Sequence, residues 1–544
     1  MLTDYFYCKT LLIILVSVLS VKTQNATVTI PLNNTITLEN KELFGDFVSL
    51  NASSTLQIGF INITKSVSFI ILQVHSHFYN VTVYNNTFTR SSSVYGTNVG
   101  MYSSVKPSLD KFFIINENAV NIKLYLSVHG YGAKDPIPGG CNMEFQPPVS
   151  PYLHVSYTKD YVLVESASAR DTTDPLCTSL NNANVIFYLM YLPERKFDSD
   201  TFFEGIRNMM TLDNIIENGV VVPETTWRMR RMLSAYPGTG SIYVAVAYSS
   251  TNSSAYSVYV PTYTYACSPT DESGCELLDD MLSQLLCTSL LFFGLFMCFF
   301  GHRFFKTEMF LVGLLSGVII TYILISLIAD LERPALLGAS TLSGMFFGAI
   351  WLLFWWFYGI PVLAVMLSTL NLGFLFAALV NFGLPGGLAL LQVDFNFWTV
   401  YVFIMTFSSL MLLSMTFISN ILCCAILGAY ATIYPIDYFV GSNLKYIINN
   451  TIRRAVVPKF NSAVLSPPFQ LTDVLVMLLW LTLAITGFFF QHYQNRLKPP
   501  FPPPPRSVRP AMPGVLYGST GQIRGRNIYE TTNTTHNENS PLLS

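Results

Sequence analysis

The sequence predicts a mixed fold: a lumenal or extracellular all-β ectodomain, an α-helical bundle of seven membrane spans, and a disordered proline-rich tail. Three observations predict it. Seven long apolar stretches lie between residues 281 and 490. A short leader opens the chain, and the roughly 250 residues that follow it are thick with Asn-X-Ser/Thr sites. A hydrocarbon core of ~30 Å takes roughly 20 apolar residues of helix to cross. Segments 334–393 and 395–436 hold no charged residue, and each is long enough for two crossings.

The leader, residues 1–23, reads as a secretory signal. Lys9 precedes the apolar run 11–19, and small or polar residues follow at 20–24. The run falls short of the ~17 residues that a span requires, so a cleavable signal fits better than an uncleaved anchor. Behind it we expect a β-rich module at 24–150, a second at 151–275, a helical membrane domain at 281–490 and a tail at 491–544. Strand-like alternation runs through Thr27-Val-Thr-Ile30, Phe69-Ile-Ile-Leu-Gln-Val-His-Ser-His77, Val120-Asn-Ile-Lys-Leu-Tyr-Leu126 and Ile242-Tyr-Val-Ala-Val-Ala-Tyr248. Gly, Pro and Asn punctuate these runs, as in antiparallel sandwiches, and Pro147-Pro-Val-Ser-Pro151 marks the expected boundary. Segments 202–210 and 226–233 look helical or loop-like.

Sequons stand at Asn25, Asn33, Asn51, Asn62, Asn80, Asn85 and Asn252, six of them in the first module. That crowding suits a surface kept in the secretory lumen or outside the cell. Cysteines divide the same way. Cys141, Cys177, Cys267 and Cys275 fall where disulfides persist. Of their three pairings, short separations favour Cys141–Cys177 and Cys267–Cys275. Cys287, Cys298, Cys423 and Cys424 fall in membrane helices and need no partner; Cys298, near a cytosolic face, is either an acylation site or plain apolar filler.

The expected helices are 281–300, 309–329, 335–356, 360–380, 397–417, 419–439 and 471–490. His302, Arg303 and Lys306 follow the first, and Arg496 and Lys498 follow the seventh, which puts both positions in the cytosol. Lys445, Arg453, Arg454 and Lys459 run against this, because seven spans place their loop outside, with Asn449-Asn450-Thr451 as a usable sequon. A bundle in which 419–439 fails to span would relieve the conflict, since Pro435 and Asp437 make it the weakest helix. Seven spans stay the better reading, because long loops follow the charge rule poorly. The tail, with Pro499-Pro-Phe-Pro-Pro-Pro-Pro505, is too polar to bury a core.

Asp135-Pro-Ile-Pro-Gly-Gly-Cys-Asn-Met-Glu-Phe145, Val260-Pro-Thr-Tyr-Thr-Tyr-Ala-Cys267, Cys298-Phe-Phe-Gly-His-Arg-Phe-Phe-Lys-Thr-Glu-Met-Phe310 and Pro541-Leu-Leu543 together resemble the seven-transmembrane superfamily member three family. The Pro-Gly-Gly-Cys and Phe-Gly-His-Arg segments are the specific ones. The resemblance implies a glycosylated multi-pass surface protein associated with cell survival and with damping of endoplasmic-reticulum stress. It brings no catalytic residues; we expect no cofactor and no metal.

The residues themselves argue against several chemistries. A net charge of −2, with no basic stripe interleaved with aromatics, excludes a nucleic-acid partner. An intramembrane zinc hydrolase needs three metal ligands, and the spans offer His302 alone, with His492 beyond the last. An aspartyl protease needs two facing carboxylates, and Asp437 has no mid-membrane companion. Asp437 is the leading intramembrane polar residue, since such a group costs about 2.5–3.5 kcal/mol at the bilayer centre. It is an ion or proton site, a helix contact, or a hydrated interfacial group. His75-Ser-His77 puts two imidazoles on one strand face, half of a metal site or simply two surface or cleft histidines. The pairs Gly313…Gly317 and Gly344…Gly348 permit close helix approach, within the bundle or between copies. The third helix lacks Asp-Arg-Tyr and the seventh lacks Asn-Pro-x-x-Tyr, which disfavours a rhodopsin-like receptor.

We therefore expect a non-enzymatic membrane glycoprotein of the cell surface, with endosome or lysosome cycling. Its partners are the lipid bilayer, a lumenal or extracellular protein ligand and coat adaptors reading the tail. The alternatives are a channel or transporter using Asp437, with Asn371 and Asn381 along its path, and an atypical seven-helix receptor. Glu538, Leu542 and Leu543 match an acidic dileucine sorting signal, and Arg496-Leu-Lys-Pro-Pro-Phe-Pro502 is an SH3 ligand or a stiff spacer. Replacing Leu542 and Leu543 with Ala should raise the surface-to-endosome ratio several-fold in surface biotinylation; an unchanged ratio removes the signal.

Overall fold

The computed structural model describes residues 25–502 apart from 33–40, 90–91, 106–110, 172–173, 175, 179–182, 226, 253, 272–273, 279, 385 and 387. The leader, Asn33 and the tail residues Glu538, Leu542 and Leu543 lie outside the described residues. The chain forms two compact units. Among the described residues, one comprises those up to Glu276 together with those of 385–389 and Ser462–Pro468; the other comprises those of Leu277–Leu384, Leu390–Asn461 and from Phe469 onward.

In the first unit, alternating apolar residues build two β-sandwiches. The first pairs a sheet of β1 (Asn25–Pro31), β3 (Thr55–Ile61), β8 (Phe112–Ile115), β5 (Val81–Asn85) and β6 (Ser93–Gly96) with a second sheet. That sheet is β2 (Glu42–Leu50), β9 (Ile122–Tyr131), β4 (Phe69–Ser76) and β7 (Asn98–Ser104). Ile58, Leu72, Phe112 and Leu126 lie between them in the core. Every residue of β4 is buried. Ile70, Leu72 and Val74 alternate with Phe69, Ile71, Gln73 and His75, and both faces of a strand can be covered only when something packs on each.

The second sandwich uses β10 (Ile137–Cys141) with β13 (Ser168–Arg170), and β11 (His154–Tyr157) with β12 (Tyr161–Glu165) and β16 (Arg230–Ser234). Opposite them stand β15 (Val220–Val222), β14 (Ala183–Tyr191), β17 (Ser241–Ser249), β18 (Tyr256–Val258) and β19 (Thr262–Thr264). Because β10 pairs with β13, residues 137–141 join the second sandwich, across the boundary expected near residue 150. Helix α1 (Ser199–Arg207) starts where Asp198 accepts from the Thr201 backbone N–H at 2.9 Å, and α2 (Leu212–Asn218) follows it. The helical reading of 202–210 thus finds α1. The reading of 226–233 is corrected at its end: Arg230–Ser234 is a strand, because Met232 and Leu233 gain a ladder against β12.

A piece of chain from between the last two spans belongs to this unit. Val464 bridges Leu233 in parallel, donating to the Met232 carbonyl at 2.8 Å and accepting from Ser234 N–H at 3.2 Å. Its side chain joins the core of the second sandwich with Leu233 and Ala235.

The second unit holds seven helices long and apolar enough to cross a bilayer: Met281–Phe300, His302–Ile328, Arg333–Tyr358, Pro361–Gly383, Asp394–Leu413, Thr416–Val440 and Leu471–Asn495. The sixth, suspected as the weakest, is an unbroken helix and the most buried of the seven. Its many small residues are the reason. Cys423, Cys424, Ala425, Gly428 and Ala429 are small enough for neighbouring backbones to close in, and van der Waals packing of this kind holds helices together in lipid. A Cβ on Gly428 would meet the backbone of Cys298 and the Gly294 carbonyl of the first span. Gly313 and Gly317 of the second span face Gly348 and Gly344 of the third, where an added Cβ would lie 2.9 Å from the opposing Cα. The glycine pairs therefore serve packing inside the bundle.

Gly428→Leu should overpack this contact by about 1–3 kcal/mol or more, giving a lower monodisperse yield in mild detergent and less protein at the surface. Gly383→Ala, with nothing within 4 Å of the added Cβ, should leave both unchanged.

Candidate functional site

The two sandwiches are fused along a buried polar seam. Register places Gln73 opposite Ser127 and Gly100, and His75 opposite Tyr125 and Asn98, all on one face of the β2–β9–β4–β7 sheet. A Cβ on Gly100 would strike Val260 of the second sandwich, so this face meets that module. Tyr131 accepts from Val258 N–H at 3.2 Å, and Tyr125 and Ser127 both donate to Glu42, at 3.2 and 3.1 Å. Lys41 is 6% exposed; its Nζ pairs with Asp135 at 2.7 Å, donates to the Tyr256 carbonyl at 2.9 Å and lies 4.2 Å from that ring's centre. Burial lowers its pKa against the pull of Asp135.

His75 and His77 prove to be parts of this packing. His75 Nδ1 lies 2.7 Å from Asn98 Oδ1, and His77 rests on Phe78 and Phe202. Among the described residues no group of three or more His, Cys, Asp or Glu could hold a metal ion. Burial pushes His75 and His129 down to about 4, and a hydrogen bond to Asn98 only partly offsets this for His75.

Around this core lie the predicted surface features. Cys141 is bonded to Cys177 and Cys267 to Cys275, the pairs that spacing favoured. Asn51, Asn62 and Asn252 are exposed, Asn80 and Asn85 are half-buried, and Asn25 opens β1. Asn252 sits in the β17–β18 connection. At the opposite edge of that sheet stands β15, whose Val220 and Val221 are 63% and 54% exposed beside Ile216 of α2 at 59%. Sequence periodicity did not single out this edge, because a three-residue strand is too short to alternate.

Within the membrane unit Asp437 is neither hydrated nor open. It is completely buried, pairs with Lys445 Nζ at 3.2 Å, and accepts from Ser442 Oγ and from the backbone N–H groups of Leu444 (3.1 Å) and Lys445 (2.8 Å). Gly441, with φ of 96°, supplies the left-handed turn that folds the chain back over it. Asp473 holds the same turn from the seventh span, accepting from Asn443 N–H at 2.6 Å. The basic loop is similarly tied down. Much of it is the helix Tyr446–Val456, and Arg454 pairs with Asp394 at 3.0 Å. Lys445 and Arg454 thus carry local counter-charges, which removes much of the conflict with the charge rule. Asn449 is engaged by Tyr434 and Tyr438, and Thr451 is buried, so the fold has no usable sequon there. Asn371 bonds Ser316, tying the fourth span to the second.

Sequence reasoning missed Glu308. It lies on the second span, 1% exposed, and accepts from Asn420 Nδ2 of the sixth span at 2.8 Å. Setting the second helix to begin at residue 309 placed it in a loop. The signal was available: helix His302–Ile328 needs only the preceding turn to be helical. Asp437 lies roughly 25 Å beyond Asn420 along the sixth span, so the two carboxylates do not form a protease pair.

These features define a multi-pass membrane protein that carries two fused immunoglobulin-like modules. Residues 287–492 match a family described as TM7S3/TM198-like domain. Residues 36–131 and 136–270 match the TM7SF3-like N-terminal and second immunoglobulin-like domains. Transmembrane 7 superfamily member 3 of Rattus norvegicus is 31% identical over 462 residues, covering 82% of this chain and 81% of the relative. The Mus musculus protein of that name is 30% identical, covering 84% of each chain. The Homo sapiens protein is 29% identical, covering 82% of this chain and 81% of the relative. The chain belongs to the transmembrane 7 superfamily member 3 family.

The seam carries a pH dependence of definite sign. His75 and His129 are neutral in the fold, while unfolded histidine has the ordinary value of 6.5, so the unfolded chain takes up protons first. Their stabilising effect is full above pH 6.5 and is lost as pH falls toward 4. Each histidine then costs about 1.4 kcal/mol per pH unit, or about 2 kcal/mol by pH 5. The ectodomain should melt roughly 10 °C lower at pH 5 than at pH 7, and H75Q/H129Q should flatten that difference. Equal melting at the two pH values would refute it.

Proposed function

We propose that the chain is a non-enzymatic glycoprotein of the secretory pathway and cell surface whose ectodomain binds a lumenal or extracellular protein through the β15 edge. The exposed Ile216, Val220 and Val221 carry this reading. An apolar strand edge is a template for another chain, and natural sheets usually blunt such edges. Here the Asn252 sequon sits at the opposite edge of the sheet, which leaves β15 clear of that sugar. The orientation we infer has the ectodomain in the lumen or outside and the tail in the cytosol. The leader, the sequons and the disulfides support it. So does the membership of Ser462–Pro468 in the ectodomain unit, since a loop between the sixth and seventh spans shares a side with the start of the first.

A role in cell survival and in damping endoplasmic-reticulum stress is the reading that the family resemblance supports. The transporter reading loses its main support, because Asp437 is fully engaged in a turn. Photo-crosslinking side chains placed at Val220 or Ile216 should trap one discrete adduct on living cells. Val221→Lys should abolish it without lowering the surface amount. An adduct that survives Val221→Lys, or none from either position, overturns the edge. Cells lacking the chain should die faster when glycosylation is blocked, with rescue by the wild type and not by Val221→Lys; equal rescue would separate survival from this edge.

A further inference from the structure

The segment Cys298-Phe-Phe-Gly-His-Arg-Phe-Phe-Lys-Thr-Glu-Met-Phe310 turns the chain between two spans and also brings Cys298, His302, Phe305 and Glu308 to one end of the bundle. Glu308 is the unusual member. It is a carboxyl group with 1% exposure inside a membrane-spanning helix. Its partners are neutral: Asn420 Nδ2 at 2.8 Å, Ser368 Oγ at 3.5 Å and the Cys424 thiol. The titratable groups facing it are His302, whose Nδ1 is 3.0 Å from Asn420 Nδ2, and the thiols of Cys423 and Cys424. Among the described residues no Lys or Arg pairs with it; Arg303 and Lys306, on the neighbouring turns, are exposed.

An ionised carboxylate in a low-dielectric interior without a counter-charge is disfavoured by far more than hydrogen bonds to neutral donors return. Binding a proton removes the charge and turns one carboxyl oxygen into a donor. Asn420 is matched to that change. Its Oδ1 is completely buried and has no hydrogen-bond partner. With its amide turned over, Oδ1 would accept from a protonated Glu308 and from His302 Nδ1–H; in the present orientation Nδ2 donates to an ionised Glu308. The cluster thus has one hydrogen-bond arrangement for each proton occupancy. Phe501, from the chain beyond the last span, is 9% exposed and packs on His302 and Phe305 with ring centres 5.7 and 5.3 Å apart. Gln491 fixes the floor, donating to the Cys298 carbonyl at 2.7 Å and accepting from His302 N–H at 3.0 Å.

We propose that Glu308 is a proton-binding site of the bundle, taking up and releasing one proton among Asn420, Ser368 and Cys424, with Phe501 closing it from solvent. The step forms or breaks one O–H bond on Glu308, and the proton is exchanged with water. The site is independent of the β15 edge.

Infrared difference spectra of the full-length protein in lipid nanodiscs, titrated with pH, test this. At neutral pH the wild type should show a buried carboxylic-acid carbonyl band that disappears in alkaline buffer as carboxylate bands grow. Glu308→Gln should lack the band at every pH, and Glu308→Asp, a second variant should the first not fold, should shift it. Phe501→Ala should keep the band and speed its isotope shift in heavy water at least several-fold. A band missing at neutral pH, one unmoved by alkali, or one retained in Glu308→Gln overturns the proposal. An isotope shift of unchanged rate in Phe501→Ala overturns the closing role of that ring.

Discussion

The membrane unit depends on the close approach of backbones at glycine. Lipid tails are as apolar as leucine, so the spans have no hydrophobic reason to prefer one another over lipid. What remains is van der Waals contact and a few polar ties. Gly428 lets the sixth span touch the first at Cys298, and Gly313 and Gly317 let the second lie against Gly348 and Gly344 of the third. Once those contacts are made, the sixth span is central, and its polar residues, Asn420 near one end and Asp437 near the other, are necessarily buried. Each has to find a partner: Asp437 finds Lys445 and its own following turn, and Asn420 finds Glu308 and His302.

The ectodomain solves a different problem. Two sandwiches of this size could be strung apart on a linker, yet β4 is covered on both faces and the seam holds a lysine, an aspartate, two histidines and several tyrosines. A seam of this composition constrains the geometry, because Lys41 reaches both Asp135 and the Tyr256 carbonyl. Buried polar groups made this way are sensitive to protonation, whereas an apolar seam would be indifferent to it.

The same physics explains what could be read in advance and what could not. Long charge-free stretches, strands with strict alternation and cysteines at short separation are local signals. They located all seven spans, β4, β9 and β17, and the two disulfides. Three features were not legible from them. The 419–439 helix drew suspicion because Pro435 and Asp437 are costly in a helix facing lipid, and its environment is protein. For His75 and His77 alternation reveals a shared strand face and cannot reveal what covers it. Glu308 escaped notice because it stands within two turns of a helix start, where end assignments are least certain.

By itself the sequence determined that this chain crosses a bilayer repeatedly behind a β-rich, disulfide-bonded ectodomain, since those properties follow from residue type and spacing along the chain. Only the tertiary structure decided which polar residues are buried and with whom. Asp437 pairs with Lys445, Val464 adds a bridge to β16, and Glu308 meets Asn420 from more than a hundred positions away. Burial of a polar group is a property of what packs around it, and helix and strand periodicity do not encode that neighbour.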